Sequence, residues 1–268
     1  MIENFLKESF FIYTEHPQRK TDMLRDAFEQ LGVRTIRPEE YQEGHVILYG
    51  KMRGLYDVYK KCLKKGYDFL YIDNGYLRKD RENRIYFRIL WNKEDVEVSD
   101  MKDLPSDRIE RFSIHFEPWK NDGEIILLIP PSPFRQLYEA ENSILWIKNM
   151  EEELKKHTTK RIYVKSKFSN ESLSELIGKS YAICCHSSTV GLEALIKGKK
   201  VICNNERYFL SAFVLNKISD IEREMTTDRE RLFRFLSYYQ FTLDEIASGV
   251  ANSVINELQF YGKQVKIQ

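Results

Sequence analysis

Short apolar runs and helix-spaced apolar faces take turns along this chain. Phe10 to Tyr13 is a run of strand length, left through the loop Glu15-His16-Pro17. Met23, Leu24, Ala27, Phe28 and Leu31 then share one helical face within Lys20 to Leu31, and Gly32 stops the pattern. Val46 to Tyr49 predicts a second strand, closed by Gly50, and Leu55, Val58, Tyr59, Cys62 and Leu63 predict a helix ending near Gly66. Phe69 to Ile72 predicts a buried strand followed by the turn Asp73-Asn74-Gly75, and Arg84 to Trp91 alternates as a strand or hairpin arm does. Repeated strand–helix–strand order predicts a parallel sheet with helices on its faces.

Residues 92 to 123 interrupt this rhythm with mixed charge, Pro105, Pro118 and the turn Asn121-Asp122-Gly123, and read as the tail of a first domain and a linker. A second alternation follows. It predicts strands over Ile125–Ile129, Arg161–Val164, Tyr181–Cys185 and Val201–Cys203, with helices over Ile144–Leu154, Leu173–Ile177 and Val190–Ile196. The remainder reads as helical, first over Arg229–Tyr239 and then as one long helix over Thr242–Phe260 with Ile246, Val250, Val254 and Leu258 on its apolar face. The expected fold class is α/β, with two Rossmann-like domains facing a cleft and a helical C-terminal end. The expected domains are residues 1–120, residues 121–240 and a terminal helix over 241–268, which the length of 268 residues accommodates.

Composition narrows the class. With 42% hydrophobic and 31% charged residues, 12 Gly and 7 Pro, disorder and fibres are excluded. No apolar run is long enough to span a bilayer, and the first twenty residues lack the features of a signal peptide, so the expectation is a soluble, cytoplasmic protein. Lys and Arg number 42 against 41 Asp and Glu, a net charge of +1 that rules out a whole-body field for polyanions but not a local basic groove. Cys62, Cys184, Cys185 and Cys203 form no C-x-x-C pair; the adjacent Cys184 and Cys185 should point to opposite faces of a strand, as buried reduced thiols. Five scattered histidines and the lack of an Asp-x-Asp triplet give no ligand spacing, and no metal is expected.

The most informative segment is Tyr181 to Asn204, where an apolar strand runs into His186-Ser187-Ser188-Thr189 and a helix begins at once. Hydroxyls and free backbone N–H groups at a helix start suit an anion. Glu193, one turn further, reaches back towards a sugar hydroxyl or a backbone N–H. Capping by Ser188 or Thr189 explains the same residues without any ligand.

The run SSTVGLEALIKGKKVI resembles the donor-site segment of glycosyltransferases of the GT-B architecture, especially the capsule-polysaccharide synthesis group. That resemblance implies that Ser187, Ser188 and Thr189 face the donor phosphates and Glu193 the donor ribose or sugar, with His186, Gly191 and Ser132 in the same donor-binding set. It also implies a terminal helix that crosses back onto the first domain. Where the capsule group carries a His-Pro pair, this chain reads Val164-Lys165-Ser166-Lys167. Lys165 and Lys167 suit a UDP-type diphosphate better than a CMP-linked acidic sugar, or are simply solvated strand-end lysines. Looser phrases (LYIDNGY, YFRILWN, IPPS and YQFTLDE) resemble bacteriophage-encoded glycosyltransferase-like proteins. They imply hydroxymethylated pyrimidines of viral DNA as acceptor.

The first domain should then hold the acceptor. Asp73 follows its strongest strand and is the candidate general base, with His16 after the first strand as the alternative. Lys51, Asn74, Tyr76, Arg78 and Arg88 are the candidate acceptor contacts, because basic residues interleaved with aromatics suit a phosphate backbone with stacking bases. Asp-Asn-Gly is also a good turn sequence, and the basic stretch also reads as a solvated hairpin. The expected activity is transfer of a sugar from a UDP-type nucleotide sugar to a hydroxyl, with the nucleotide sugar as co-substrate and no cofactor. A capsule-type transferase, a sugar-nucleotide epimerase and a non-catalytic nucleotide- or nucleic-acid-binding module are the alternatives.

Overall fold

The computed structural model describes residues 2–15, 18–132, 136, 142–165 and 170–264, without the side chains of Arg78 and of residues 259–264. The chain forms two compact units, Met1–Ser113 with Arg234–Gln268, and Ile114–Phe233. Each is an α/β unit with its own sheet.

The sheet of the first unit contains β1 (Ser9–Ile12), β2 (Arg34–Ile36), β3 (His45–Tyr49), β4 (Phe69–Lys79), β5 (Ile85–Trp91) and β10 (Gln240–Phe241), in the order β10-β5-β4-β3-β1-β2. β1 to β4 are parallel neighbours joined by the helices Lys20–Gln30 and Leu55–Lys65, and β5 and β10 add antiparallel strands. Alternation along the strands divides the apolar residues between two faces. Phe11, Ile47, Leu70, Ile72, Phe87 and Ile89 pack against Leu24 and Phe28 on one side, with Ile246, Ala251 and Ile255 of the C-terminal segment. Ile12, Val46, Leu48, Phe69 and Tyr71 pack against Leu55, Val58 and Cys62 on the other. Each such fully buried side chain contributes on the order of 2 kcal/mol, so this alternation holds a two-sided core.

Two expectations fail here for tertiary reasons. Asp73-Asn74-Gly75 is not a turn, because β4 stays paired with β5 (Asp73 opposite Arg88, Asn74 opposite Phe87) and shifts register before Lys79. A Cβ on Gly75 would lie 2.9 Å from Gln240 Oε1 and 3.0 Å from the Tyr86 carbonyl oxygen, so the glycine serves close approach. The same Gln240 oxygen accepts the Leu77 N–H (2.9 Å) in the irregular stretch. The hairpin reverses after Asp80 instead, whose carboxylate accepts the N–H groups of Glu82 and Arg84 (both 3.0 Å). Likewise the expected long terminal helix is two helices, Leu243–Ala247 and Val250–Gln264, separated at Gly249, whose φ of +79° interrupts the helical backbone.

The second unit has β6 (Ile125–Ile129), β7 (Arg161–Val164), β8 (Ser180–Cys185) and β9 (Lys200–Ile202), all parallel, in the order β7-β6-β8-β9. Helices Ser143–His157, Leu173–Lys179 and Val190–Ile196 make the crossovers. Ile126, Leu128, Ala182 and Cys184 face Met150 and Leu154 of the first of these helices. Cys185 turns to the other face, beside Gly191, and the four cysteines are buried and free, as the sequence predicts. Among the described residues no helix is long and apolar enough to cross a membrane.

Candidate functional site

In the second unit the chain runs from β6 outward to β7 and returns past β6 to β8, so strand order reverses between β6 and β8. The carboxyl ends of strands at such a switch point are where open α/β sheets hold ligands, because the crossovers there leave in opposite directions and open a crevice. The structure brings several predicted donor residues to this edge. Ser132 follows β6 and is exposed. Lys165 follows β7, its N–H bonded to the Leu128 carbonyl (3.0 Å), and the N–H of His186, after β8, is bonded to the Ile129 carbonyl (3.2 Å). Lys167 lies outside the described residues.

The turn after β8 is more self-contained than expected. Val190 N–H donates to Ser188 Oγ (3.3 Å), Gly191 N–H to the Ser188 carbonyl (3.2 Å), and Leu192 and Glu193 N–H to the Thr189 carbonyl (2.9 and 3.3 Å). The free N–H groups predicted for this first helical turn are therefore occupied, and the helix spans only the seven residues Val190–Ile196. What the turn presents is hydroxyl chemistry, since Thr189 makes no capping bond and Ser187 and Thr189 are half-buried. Glu193 is exposed, on the opposite side of the helix from buried Leu192 and Leu195. Gly191 has a packing reason: a Cβ there would lie 2.3 Å from Leu210 Cδ2.

His186 is 4% exposed. Its Nδ1 lies 3.1 Å from Ser187 Oγ and 3.5 Å from Asn205 Nδ2, and its ring meets Trp146 edge to face at 6.0 Å. Sequence reasoning missed Trp146 and Asn205; both stand at this edge, and the buried Trp146 Nε1 has no partner among the described residues. Neither residue sits in a recognisable motif, and only the fold brings them to His186.

In the first unit the predicted acceptor residues divide between the two faces of the sheet. β4 runs parallel to β3 only as far as Ile72, so Asp73 and Asn74 lie just beyond that parallel stretch. Adjacent strand residues point to opposite faces. Asn74 is exposed and its Oδ1 accepts from Lys20 Nζ (2.6 Å) and Tyr49 Oη (3.5 Å) on the side of the helix Lys20–Gln30. Asp73 faces the other side. Its Oδ2 accepts from Arg88 Nη2 (3.0 Å) and Tyr71 Oη (3.5 Å), and its Oδ1 from Asn74 N–H (2.7 Å) and Asn74 Nδ2 (3.3 Å).

Arg88 also reaches Asp95, which the sequence reading did not single out, with Nη1 3.4 Å from Asp95 Oδ2. Tyr76, 3% exposed, donates its hydroxyl to Asp95, and Arg88 lies over the Tyr76 ring at 5.2 Å. Burial works against the Arg88 charge, but the Asp95 and Asp73 carboxylates outweigh it and hold the guanidinium well above its ordinary pKa. Burial pushes Asp95 above the usual carboxylate range, a push that Arg88 and the Tyr76 hydroxyl reduce. Lys51, 5% exposed, is paired with Glu94 at 2.5 Å rather than presented to a ligand. His16 and the Arg78 side chain lie outside the described residues. An open cavity of about 410 Å³ in this unit is lined by Tyr41, Arg53, Asp57 and Lys61 among others, and includes none of the predicted acceptor residues. Among the described residues no group of three or more His, Cys, Asp or Glu side chains is placed to hold a metal ion.

The sequence matches no protein-family model and no curated protein. Solved structures do share its fold. One is Thermosulfurimonas dismutans KpsC, a beta Kdo 2,4 transferase, with a TM-score of 0.55 and 14% identity over 93% of this chain and 98% of that one. Another is the beta Kdo 2,7 transferase of KpsC from the same organism, with a TM-score of 0.53 and 15% identity over 91% of this chain and 99% of that one. The chain thus has an α/β fold of two Rossmann-like units shared with glycosyltransferases, in line with the predicted fold class.

Proposed function

We propose that this protein is a nucleotide-sugar-dependent glycosyltransferase that extends a glycan of the surface-polysaccharide kind. The observation that carries this reading is the gathering of Ser132, Lys165, His186, Ser188 and Thr189 at the switch point of the second sheet. The fold it shares with Kdo transferases, and the resemblance of the Ser187–Ile202 segment to capsule-type donor sites, support the same activity. Lys165 and the hydroxyls after β8 would neutralise and bond the departing phosphate, and Asp73 would take the acceptor proton.

A glycan acceptor is favoured over hydroxymethylpyrimidine DNA. Arg88 is locked between two carboxylates and Arg84 is paired with Asp80 and Glu82, so two cations of the basic stretch read from the sequence are already committed to carboxylates. The donor nucleotide follows the sugar. A Kdo-type acid arrives on CMP, whereas the two strand-end lysines suit UDP.

Calorimetry with CMP, CMP-Kdo, UDP and UDP-glucose tests the donor site, followed by mass spectrometry of a Kdo-terminated oligosaccharide incubated with whichever sugar nucleotide binds. One nucleotide class should bind, and Glu193→Ala should weaken it about tenfold, equivalent to the loss of one charge-assisted hydrogen bond. If none of the four binds, or if Glu193→Ala binds as the wild type does, the donor assignment falls. Conversion of the sugar nucleotide without acceptor would point to an epimerase instead.

A further inference from the structure

Asp73, Arg88 and Asp95 form a chain of side chains that leads from a partly exposed carboxylate to two mostly buried groups. The side chain of Asp73 is 32% exposed, those of Arg88 and Asp95 are 13% and 15%, and Tyr76 behind them is 3%. The two ends of the guanidinium are divided between the carboxylates, Nη2 on Asp73 and Nη1 on Asp95. Asp95 is fixed in turn by the Tyr76 hydroxyl and by the Val96 N–H at 3.1 Å. Burying such a group costs desolvation that an apolar pair would not incur, so joining β4 to β5 does not by itself account for it. Apart from its neighbour Asn74, Asp73 is held among the described residues by Tyr71, at a long 3.5 Å, and by Arg88 at 3.0 Å. Arg88 is therefore the tertiary contact that sets the Asp73 carboxylate, and Asp95 is what sets Arg88.

We propose that Asp95 is a positioning residue for glycosyl transfer, acting through Arg88 to orient the Asp73 carboxylate that takes the acceptor proton. The proposal rests on the reading of Asp73 as the base. In that step the acceptor oxygen bonds to the anomeric carbon as the bond from that carbon to the phosphate oxygen breaks, with its electron pair leaving on the phosphate. The hydroxyl proton passes to the Asp73 carboxylate. Arg88 keeps its proton throughout, and its bond to Oδ2 fixes the plane of that carboxylate.

The test uses the full chain with the sugar nucleotide that calorimetry selects and a Kdo-terminated oligosaccharide, at a temperature where circular dichroism shows every variant folded. Asp95→Asn and Arg88→Lys should each lower kcat on the order of 10- to 100-fold, the cost of a misplaced reacting group. The KM for that sugar nucleotide and the calorimetric affinity for its nucleotide should stay within about twofold, because a positioning defect in the chemical step does not remove donor binding. Asp73→Asn should leave only a small residual turnover, measured at high enzyme concentration, and adding Asp95→Asn to it should cost nothing more, since residues acting through one group are not additive. Wild-type kcat in Asp95→Asn beside a nearly inactive Asp73→Asn would overturn the positioning role alone. An Asp95→Asn effect that persists in the double variant would overturn it too. Normal turnover by Asp73→Asn would overturn the choice of base and with it this role.

Discussion

A Cβ added to Gly191 would sit 2.3 Å from Leu210 Cδ2, 3.3 Å from Cys185 Sγ and 3.4 Å from Val201 Cγ1. The glycine of the donor-site run thus leaves room for the Leu210 side chain and lets the short helix pack close to Cys185 and Val201 of its sheet. Gly191→Ala should lower stability by about 1–3 kcal/mol, the usual cost of overpacking, read as a lower urea midpoint at unchanged m. An unchanged midpoint would return Gly191 to the ligand. Glu193, Ser188 and Thr189 were legible as a candidate site because their motif is contiguous. Asp95, Trp146 and Asn205 were not, because each acquires its meaning from a residue on another element: Arg88 for the first and His186 for the others.

At the level of elements, the segments that follow local periodicity match the sequence reading closely. Strands Ile125–Ile129 and Arg161–Val164 and helix Val190–Ile196 have the predicted ends. The misjudged segments are those in which a distant partner overrides a local signal, such as Asp73-Asn74-Gly75, held extended by β5. The clamp at Arg108 has the same character. This 5%-exposed side chain donates to the carbonyls of Ser237 (3.0 Å) and Gln240 (2.7 Å) and pairs with Glu245 at 2.9 Å. Arg108→Met should cost about 3 kcal/mol in urea unfolding, because it leaves two buried carbonyls without their donor and a mostly buried carboxylate with Arg111 as its one remaining cation among the described residues. Burial pushes Glu245 up, but Arg108 and then Arg111 hold it below the usual carboxylate range. A depressed folded value means that its contribution is present above the unfolded pKa and is lost as pH falls through the folded one. The variant should therefore show a shallower loss of stability with acid than the wild type.

At the scale of the whole molecule, the first unit is assembled from two stretches of chain separated by the entire second unit. β10, the partners of Arg108 and the core residues Ile246, Ala251 and Ile255 all come from the later stretch. Ending the chain at Phe233 should therefore unfold the first unit while the Ile114–Phe233 unit keeps its own core. Near-ultraviolet circular dichroism and limited proteolysis would report loss of the first unit and survival of the second. A truncated chain with one cooperative transition and undiminished tertiary signal would contradict this.

Periodicity and punctuation, properties of neighbours along the chain, determined the alternation of strands and helices, the α/β class and the placing of hydroxyl and lysine residues at strand ends. These could be read without coordinates because a residue's face in a strand or helix depends only on its position in the repeat. Tertiary structure alone decided where β4 turns, that Asp73 and Asn74 face opposite sides, and that Arg88 meets two carboxylates instead of a ligand. Those outcomes depend on contacts such as Gln240 with Leu77, 163 residues apart, whose energies have no trace in local sequence.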